Sequence, residues 1–199
     1  MPYNKFTLKQ AQQSFGLQIR ETDRLFSSIT PVQPSDLLRQ TLANNISLAT
    51  AINTEVARFG MLIQPIVLEV RQLLSRKVSV FFGTEFTVDP ARDLSGFPDA
   101  VISRGAEQFF ITAPVVTLVE AKNENIVGGL GQCAAEMVAA QIFNQQEGQD
   151  IPAVYGCVTT GTLWRFLRLE GTVLAIDPVD LPLEPVDRLL GIFVSILES

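Results

Sequence analysis

The run Val115-Val116-Thr117-Leu118-Val119-Glu120-Ala121-Lys122 constrains this chain more than any other stretch. It is almost wholly apolar until its end. That composition reads as a buried strand, where a glutamate and a lysine are costly unless they are paired or put to use. Side chains alternate along a strand, so Glu120 and Lys122 share one face and Ala121 takes the other. Upstream, Gly96-Phe97-Pro98-Asp99-Ala100-Val101-Ile102 sets an aspartate at the head of a second apolar run. The turn at Arg104-Gly105 is expected to bring the two runs side by side. Two acids and a lysine on neighbouring strands are a liability in a core and an asset around a metal ion.

Composition removes several other chemistries. The 199 residues contain no histidine and only two cysteines, Cys133 and Cys157, without metal-ligand spacing. Zinc sites, Ser-His-Asp catalysis and histidine general bases therefore drop out, and both cysteines read as small buried hydrophobes. Two unpatterned cysteines suit a reducing compartment, so a cytoplasmic location is expected. The start of the chain lacks a charged-then-apolar leader. No apolar stretch approaches the roughly 20 residues that span a bilayer, so no membrane association is expected. The net charge of −6 counts against broad, non-specific nucleic-acid binding but leaves room for a local basic patch.

Along the chain, residues 1–45 read as an N-terminal helical extension. A short helix runs from a Thr7 cap to Gln13, and a second from a Ser35-Asp36 cap to about Leu42. From 46 to 74 the spacing of Val56, Phe59, Ile63, Ile66, Val70 and Leu74 gives one apolar helical face, with Pro65 expected to kink or break it. Strands are expected over 78–88, 97–103 and 115–122. An Ala-rich helix over 130–146 follows, then strands over 153–159, 163–169 and 172–176, and a closing helix to Leu197. The order makes 46–199 a single α/β domain.

Two carboxylates on adjacent strands can hold Mg²⁺, a hard cation that keeps several waters and takes few carboxylate ligands. Such a cation polarises a phosphate oxygen and acidifies water, while Lys122 orients that water or balances developing charge. The string [DE]-x-K alone carries little weight: four lysines and 21 acids in 199 positions yield about 0.4 matches by chance. Its weight comes from its place at the end of an apolar strand with Pro98-Asp99 upstream.

Pro98-Asp99 followed by Glu120-Ala121-Lys122, in the order helix, three strands, helix, strand, resembles the PD-(D/E)xK phosphodiesterase superfamily. The likeness is nearest to the nuclease domain at the N-terminus of type I restriction subunits and to small stand-alone bacterial relatives. It covers roughly 46–170. It implies a restriction-endonuclease-like three-layer core over 46–199, with a central mixed sheet of about five strands flanked by helices. It also implies an Mg²⁺-dependent nuclease (Mn²⁺ substituting) that hydrolyses DNA or RNA, with a homodimer as one working form. Asp99 and Glu120 would then be metal ligands, joined by the Ala121 carbonyl, with Lys122 the catalytic lysine.

Many such proteins add a glutamate from the first core helix, for which Glu55 and Glu69 are the candidates. Glu55 lies nearer the apolar stripe and is preferred; the alternative is a surface pair with Arg58. In the following helix, Gln132 is expected to touch substrate or Lys122. Glu136 stands where RecB-like relatives carry tyrosine in Gln-x-x-x-Tyr, and a polar surface role for both remains the alternative. Arg92, Arg104 and Arg165 are the candidate phosphate contacts; Trp164 is expected in the core. The alternative is a catalytically inactive protein that retains the restriction-endonuclease-like fold as a binding or regulatory module.

Overall fold

The computed structural model describes residues 3–21 and 24–199; Met1, Pro2, Thr22 and Asp23, all within the expected N-terminal extension, lie outside them. The chain is α/β, and a mixed sheet lies between helices on both faces. The sheet has eight strands, not about five. Its strands are β1 (Gln18–Arg20), β2 (Val78–Phe82), β3 (Ala100–Arg104), β4 (Val115–Ala121), β5 (Val154–Thr159), β6 (Leu163–Glu170), β7 (Val173–Ile176) and β8 (Leu181–Pro182). They are ordered β1-β7-β6-β5-β4-β3-β2, with β8 pairing β6. Neighbours are antiparallel except for the β4–β5 and β1–β7 pairs.

The described residues among 1–45 are built into this body. Helix α1 (Leu8–Phe15) starts at Thr7, which forms a capping box with Gln10, and ends at Gly16 in the left-handed region. Tyr3, Phe6, Ala11 and Leu17 join the core on one face of the sheet, and β1 supplies its edge strand. The Ser35 cap opens α2 (Asp36–Ile52), which runs ten residues beyond the expected stop near Leu42. Asn53, at φ 53°, ends it.

The expected helix over 46–74 is thus two helices around a corner. After Asn53, Thr54 caps α3 (Glu55–Arg58), which continues through a π-helical turn, Phe59–Ile63, into α4 (Gln64–Leu73). Pro65 does not break the path. Proline lacks an N–H and crowds the carbonyl four residues back, here that of Met61. The wider turn makes room for the ring, and the Asn45 side chain donates to the Met61 carbonyl at 3.2 Å. The turn also rotates α3 relative to α4, so Val56 is exposed rather than part of the core face, whereas Ile63, Ile66 and Val70 are buried.

The other expected boundaries shift modestly. β2 stops at Phe82, short of the expected end at residue 88, and a loop containing a 3-10 turn, Pro90–Arg92, leads on to Asp99. Helix α5 begins at Ile126, capped by Asn125, so the glycines at 128 and 129 lie inside it. It is 21 residues long and, against expectation, apolar enough by length and composition to cross a membrane; two thirds of that window is buried inside the protein. One core packs α5 against Leu118, Val158 and Leu167 of the sheet. The other packs α4 and α6 (Val186–Glu198) against Val119, Cys157, Trp164 and Phe166. Cys133 and Cys157 are free and buried, as expected.

Candidate metal and catalytic site

The antiparallel register pairs Ala100 with Val119, so Asp99 approaches β4 at Glu120. The aspartate is fixed from two directions. Its Oδ2 accepts the Ala121 N–H at 2.7 Å, and its backbone carbonyl accepts the Gly83 N–H at 3.2 Å. On the other side of β4, Glu120 pairs in parallel register with Val158 and Ala121 with Thr159. The Lys122 N–H then donates to the Thr159 carbonyl at 2.8 Å. Backbone pairing therefore continues through the residues that carry the charges, which keeps these side chains from swinging away.

Glu120 and Lys122 point to the same face, toward α5, as alternation requires. The Lys122 ammonium donates to Glu120 Oε1. It lies 3.5 Å from the Gln132 side-chain carbonyl and 4.0 Å from Glu55 Oε1. Gln132 in turn donates through Nε2 to Glu136 Oε1 at 3.1 Å. Asp99, Glu120, Lys122, Gln132 and Glu55 thus form one cluster, with Glu136 behind it. Gly129 sets how closely α5 approaches: a Cβ there would meet Val158 at 2.7 Å and the Lys122 stem at 3.2 Å.

Of the two candidate helix glutamates, Glu55 is at the cluster. It sits on the first turn of α3, placed by the Thr54 cap and the corner at Asn53. Asn53 also donates to Glu124 Oε1 at 2.6 Å, tying that corner to the loop after Lys122. Glu69 is elsewhere, accepting from the Ser35 N–H and hydroxyl at the start of α2. The alternative Glu55–Arg58 pairing does not form: the Arg58 guanidinium donates to Asn53 Oδ1 at 3.0 Å and to the Thr160 carbonyl at 2.7 Å.

The candidate arginines do not converge. Arg104 is at the far end of β3 from Asp99 and donates to the Ser199 carbonyl. Arg165 pairs with Val158, which pairs with Glu120, so it lies in the same row two strands away, about 10 Å off by strand spacing. Its Nε is held by Asp180 at 2.7 Å. Arg92 stacks over Phe15 at 5.4 Å. Trp164 is fully buried, its indole N–H donating to the Gly161 carbonyl.

Burial dominates the electrostatics. It pushes the Glu120 carboxyl up to about 8, with the Asp99 charge adding to the effect and Lys122 opposing it. Burial likewise raises Asp99, against the Ala121 hydrogen bond and Lys122. For Lys122, burial opposes the charged form, but Glu120, Glu55 and Asp99 outweigh it and hold the ammonium above its usual range. Glu136 is fully buried rather than on a polar surface, and burial together with Glu120 raises it well above an ordinary glutamate. One oxygen each of Glu120 and Glu136, both Oε2, is buried without a hydrogen-bond partner.

Among the described residues, no group of three or more His, Cys, Asp or Glu side chains is arranged to hold a metal ion. Asp99 and Glu120 are nevertheless a donor set of the hard-oxygen kind that Mg²⁺ takes, one or two carboxylates with water completing the shell. Of this donor set, Glu120 Oε2 is buried without a hydrogen-bond partner. The burial of Glu136 runs against the polar surface role its residue type suggests; its signal in the sequence is an α5 composition apolar on nearly every side, which marks a helix buried all round. No protein-family model matches the chain, and no curated protein matches it.

Proposed function

We propose that this protein is a divalent-cation-dependent phosphodiesterase of the restriction-endonuclease-like kind, acting on nucleic acid. The observation that carries the reading is the meeting of Asp99, Glu120 and Lys122 at one end of β3 and β4, with Asp99 fixed by the Ala121 N–H. The order of elements supports it: helix, the antiparallel trio β2-β3-β4, helix α5, then β5 returning parallel beside β4.

Asp99 and Glu120, with the Ala121 carbonyl, would hold Mg²⁺ or Mn²⁺, which neutralises phosphate charge and makes water acidic enough to attack at neutral pH. Lys122 stays protonated because three carboxylates surround it. It is positioned to orient the attacking water or to balance charge on the phosphate as the water oxygen bonds to phosphorus and the ester P–O bond breaks. Gln132 limits where the ammonium can reach, and Glu55 supplies an outer carboxylate on the same side.

The test is Mg²⁺-dependent cleavage of single- and double-stranded DNA and RNA by the wild-type protein, abolished in Lys122→Ala. Calorimetric titration with Mn²⁺ accompanies it: Glu120→Ala binding the cation as well as wild type would end the metal-site proposal. A second reading, a non-catalytic binding protein that keeps the fold, is favoured by the engagement of Arg92, Arg104 and Arg165 away from the site. Cation binding without cleavage of any of the four substrates would select it.

A further inference from the structure

On the sheet face opposite Glu120, four strands place side chains in one row. Tyr155 of β5 pairs with Arg168 of β6, Arg168 with Ala175 of β7, and Ala175 with Arg20 of β1. Paired residues in a sheet point to the same side. Two arginines therefore stand on either side of a short alanine, and a cavity of about 270 Å³ opens over it. Arg24 lies at its wall, while Phe26 and Tyr155, with ring centroids 6.2 Å apart, make an aromatic side.

The charges here run against the chain as a whole. The protein carries −6, yet this concavity is lined by three arginines and one glutamate, Glu170. Glu170 holds one end of Arg168 at 2.9 Å, and Arg24 lies 3.6 Å from the mostly buried Asp177. Arg168 Nε is buried without a hydrogen-bond partner, and no carboxylate pairs with Arg20 among the described residues. Guanidinium groups with free donors on both sides of a small floor fit an oxyanion, and phosphate suits their forked geometry best.

We propose that this cavity is a second, separate site that binds a phosphomonoester, with the phosphate between Arg20 and Arg168 above Ala175 and the organic group toward Tyr155 and Phe26. It is independent of the proposed metal site, which lies on the other face of the sheet. The cavity is at the small end for ligand pockets, enough for a phosphate and a modest attached group.

Calorimetric titration of the full chain with inorganic phosphate, 5′-AMP and adenosine, in EDTA and at matched ionic strength, tests the proposal. Saturable one-to-one binding of 5′-AMP is expected, with phosphate alone weaker and adenosine weaker still. Arg20→Gln, an exposed position that leaves folding intact, should weaken 5′-AMP by about tenfold or more. Ala175→Leu should do the same by filling the floor without altering charge, and its thermal melt shows whether it folds. Absence of saturable binding by either phosphate compound overturns the proposal. So does unchanged 5′-AMP affinity in Arg20→Gln. Equal affinity for 5′-AMP and adenosine overturns it as well, because the phosphate would then contribute nothing.

Discussion

Glu136 accepts the side-chain N–H of Gln132 at 3.1 Å, which leaves the Gln132 carbonyl oxygen as the end that faces the Lys122 ammonium. An amide has one donor end and one acceptor end, so a carboxylate behind it determines what it presents in front. Were Gln132 turned round, its NH₂ would oppose an ammonium. Glu136 is therefore a positioning residue, acting on Lys122 through Gln132.

That relationship predicts a coupling measurable by denaturation. Glu136→Leu removes a buried carboxyl with an orphaned oxygen but also strips Gln132 of its acceptor. Gln132→Leu alone leaves Glu136 without a donor. A double-mutant cycle read in guanidinium should therefore show the pair coupled by about 1 kcal/mol, the net scale of a partly buried hydrogen bond. Strict additivity of the two substitutions would mean that the amide is not held.

Asp99 has two separable roles. Its Oδ2 accepts the Ala121 N–H at 2.7 Å, a contact that asparagine can reproduce with its carbonyl oxygen. Asp99→Asn should therefore fold with wild-type stability or better, having lost a buried charge beside Glu120, while losing Mn²⁺ binding by calorimetry. Asp99→Ala should lose both, because the backbone donor is left without a partner at a cost of about 1–3 kcal/mol.

The metal-free protein should lose stability as pH rises. Glu120 titrates from an ordinary value of 4.5 in the unfolded chain and from about 8 when folded. Between those values the folded state holds a proton that the unfolded state has released, so stability falls with increasing pH across that window. Burial of Glu136 acts in the same direction. The loss is on the order of a few kcal/mol, or several degrees in melting temperature for a chain of this size. Melting in EDTA from pH 5 to 8.5 should show the decline, and Glu120→Gln should make it shallower, leaving the share that Glu136 contributes. A flat wild-type profile would show that the carboxyl is not raised.

Much of the site was legible because strands constrain side chains simply. Once Val115–Ala121 reads as a strand, Glu120 and Lys122 must share a face, and an antiparallel neighbour carries Asp99 to them. What a strand pattern does not convey is which end of the neighbour lies at the site. Arg104 is only five residues from Asp99, but those five span about 17 Å of extended chain, which takes it to the opposite rim. Edge elements were illegible for another reason: Gln18-Ile19-Arg20 and Leu181-Pro182 are too short to show alternation, so the sheet is wider than expected. Pro65 signals a missing N–H, but nothing in its own stretch of sequence signals the remedy. That depended on Asn45, which comes from a different helix to meet the Met61 carbonyl.

The glycines of α5 allow the final prediction. In a helix interior, alanine is favoured over glycine by about 1 kcal/mol, and Gly60, in the π-helical turn Phe59–Ile63 rather than in α5 and with open space where a Cβ would stand, should show a gain of that order when changed to alanine. Gly129 should behave oppositely. A Cβ there lies 2.7 Å from Val158 Cγ1, on a strand that cannot retreat, and 3.2 Å from two carbons of Lys122, which can. Overpacking of this kind costs about 1–3 kcal/mol, enough to cancel or exceed the helical gain. Part of the strain is relieved by moving Lys122 away from Gln132. Gly129→Ala should therefore be neutral to destabilising in guanidinium unfolding, and should reduce Mg²⁺-dependent cleavage by more than its stability change explains. A Gly129→Ala protein as stabilised as Gly60→Ala would show that α5 is not pressed against the lysine.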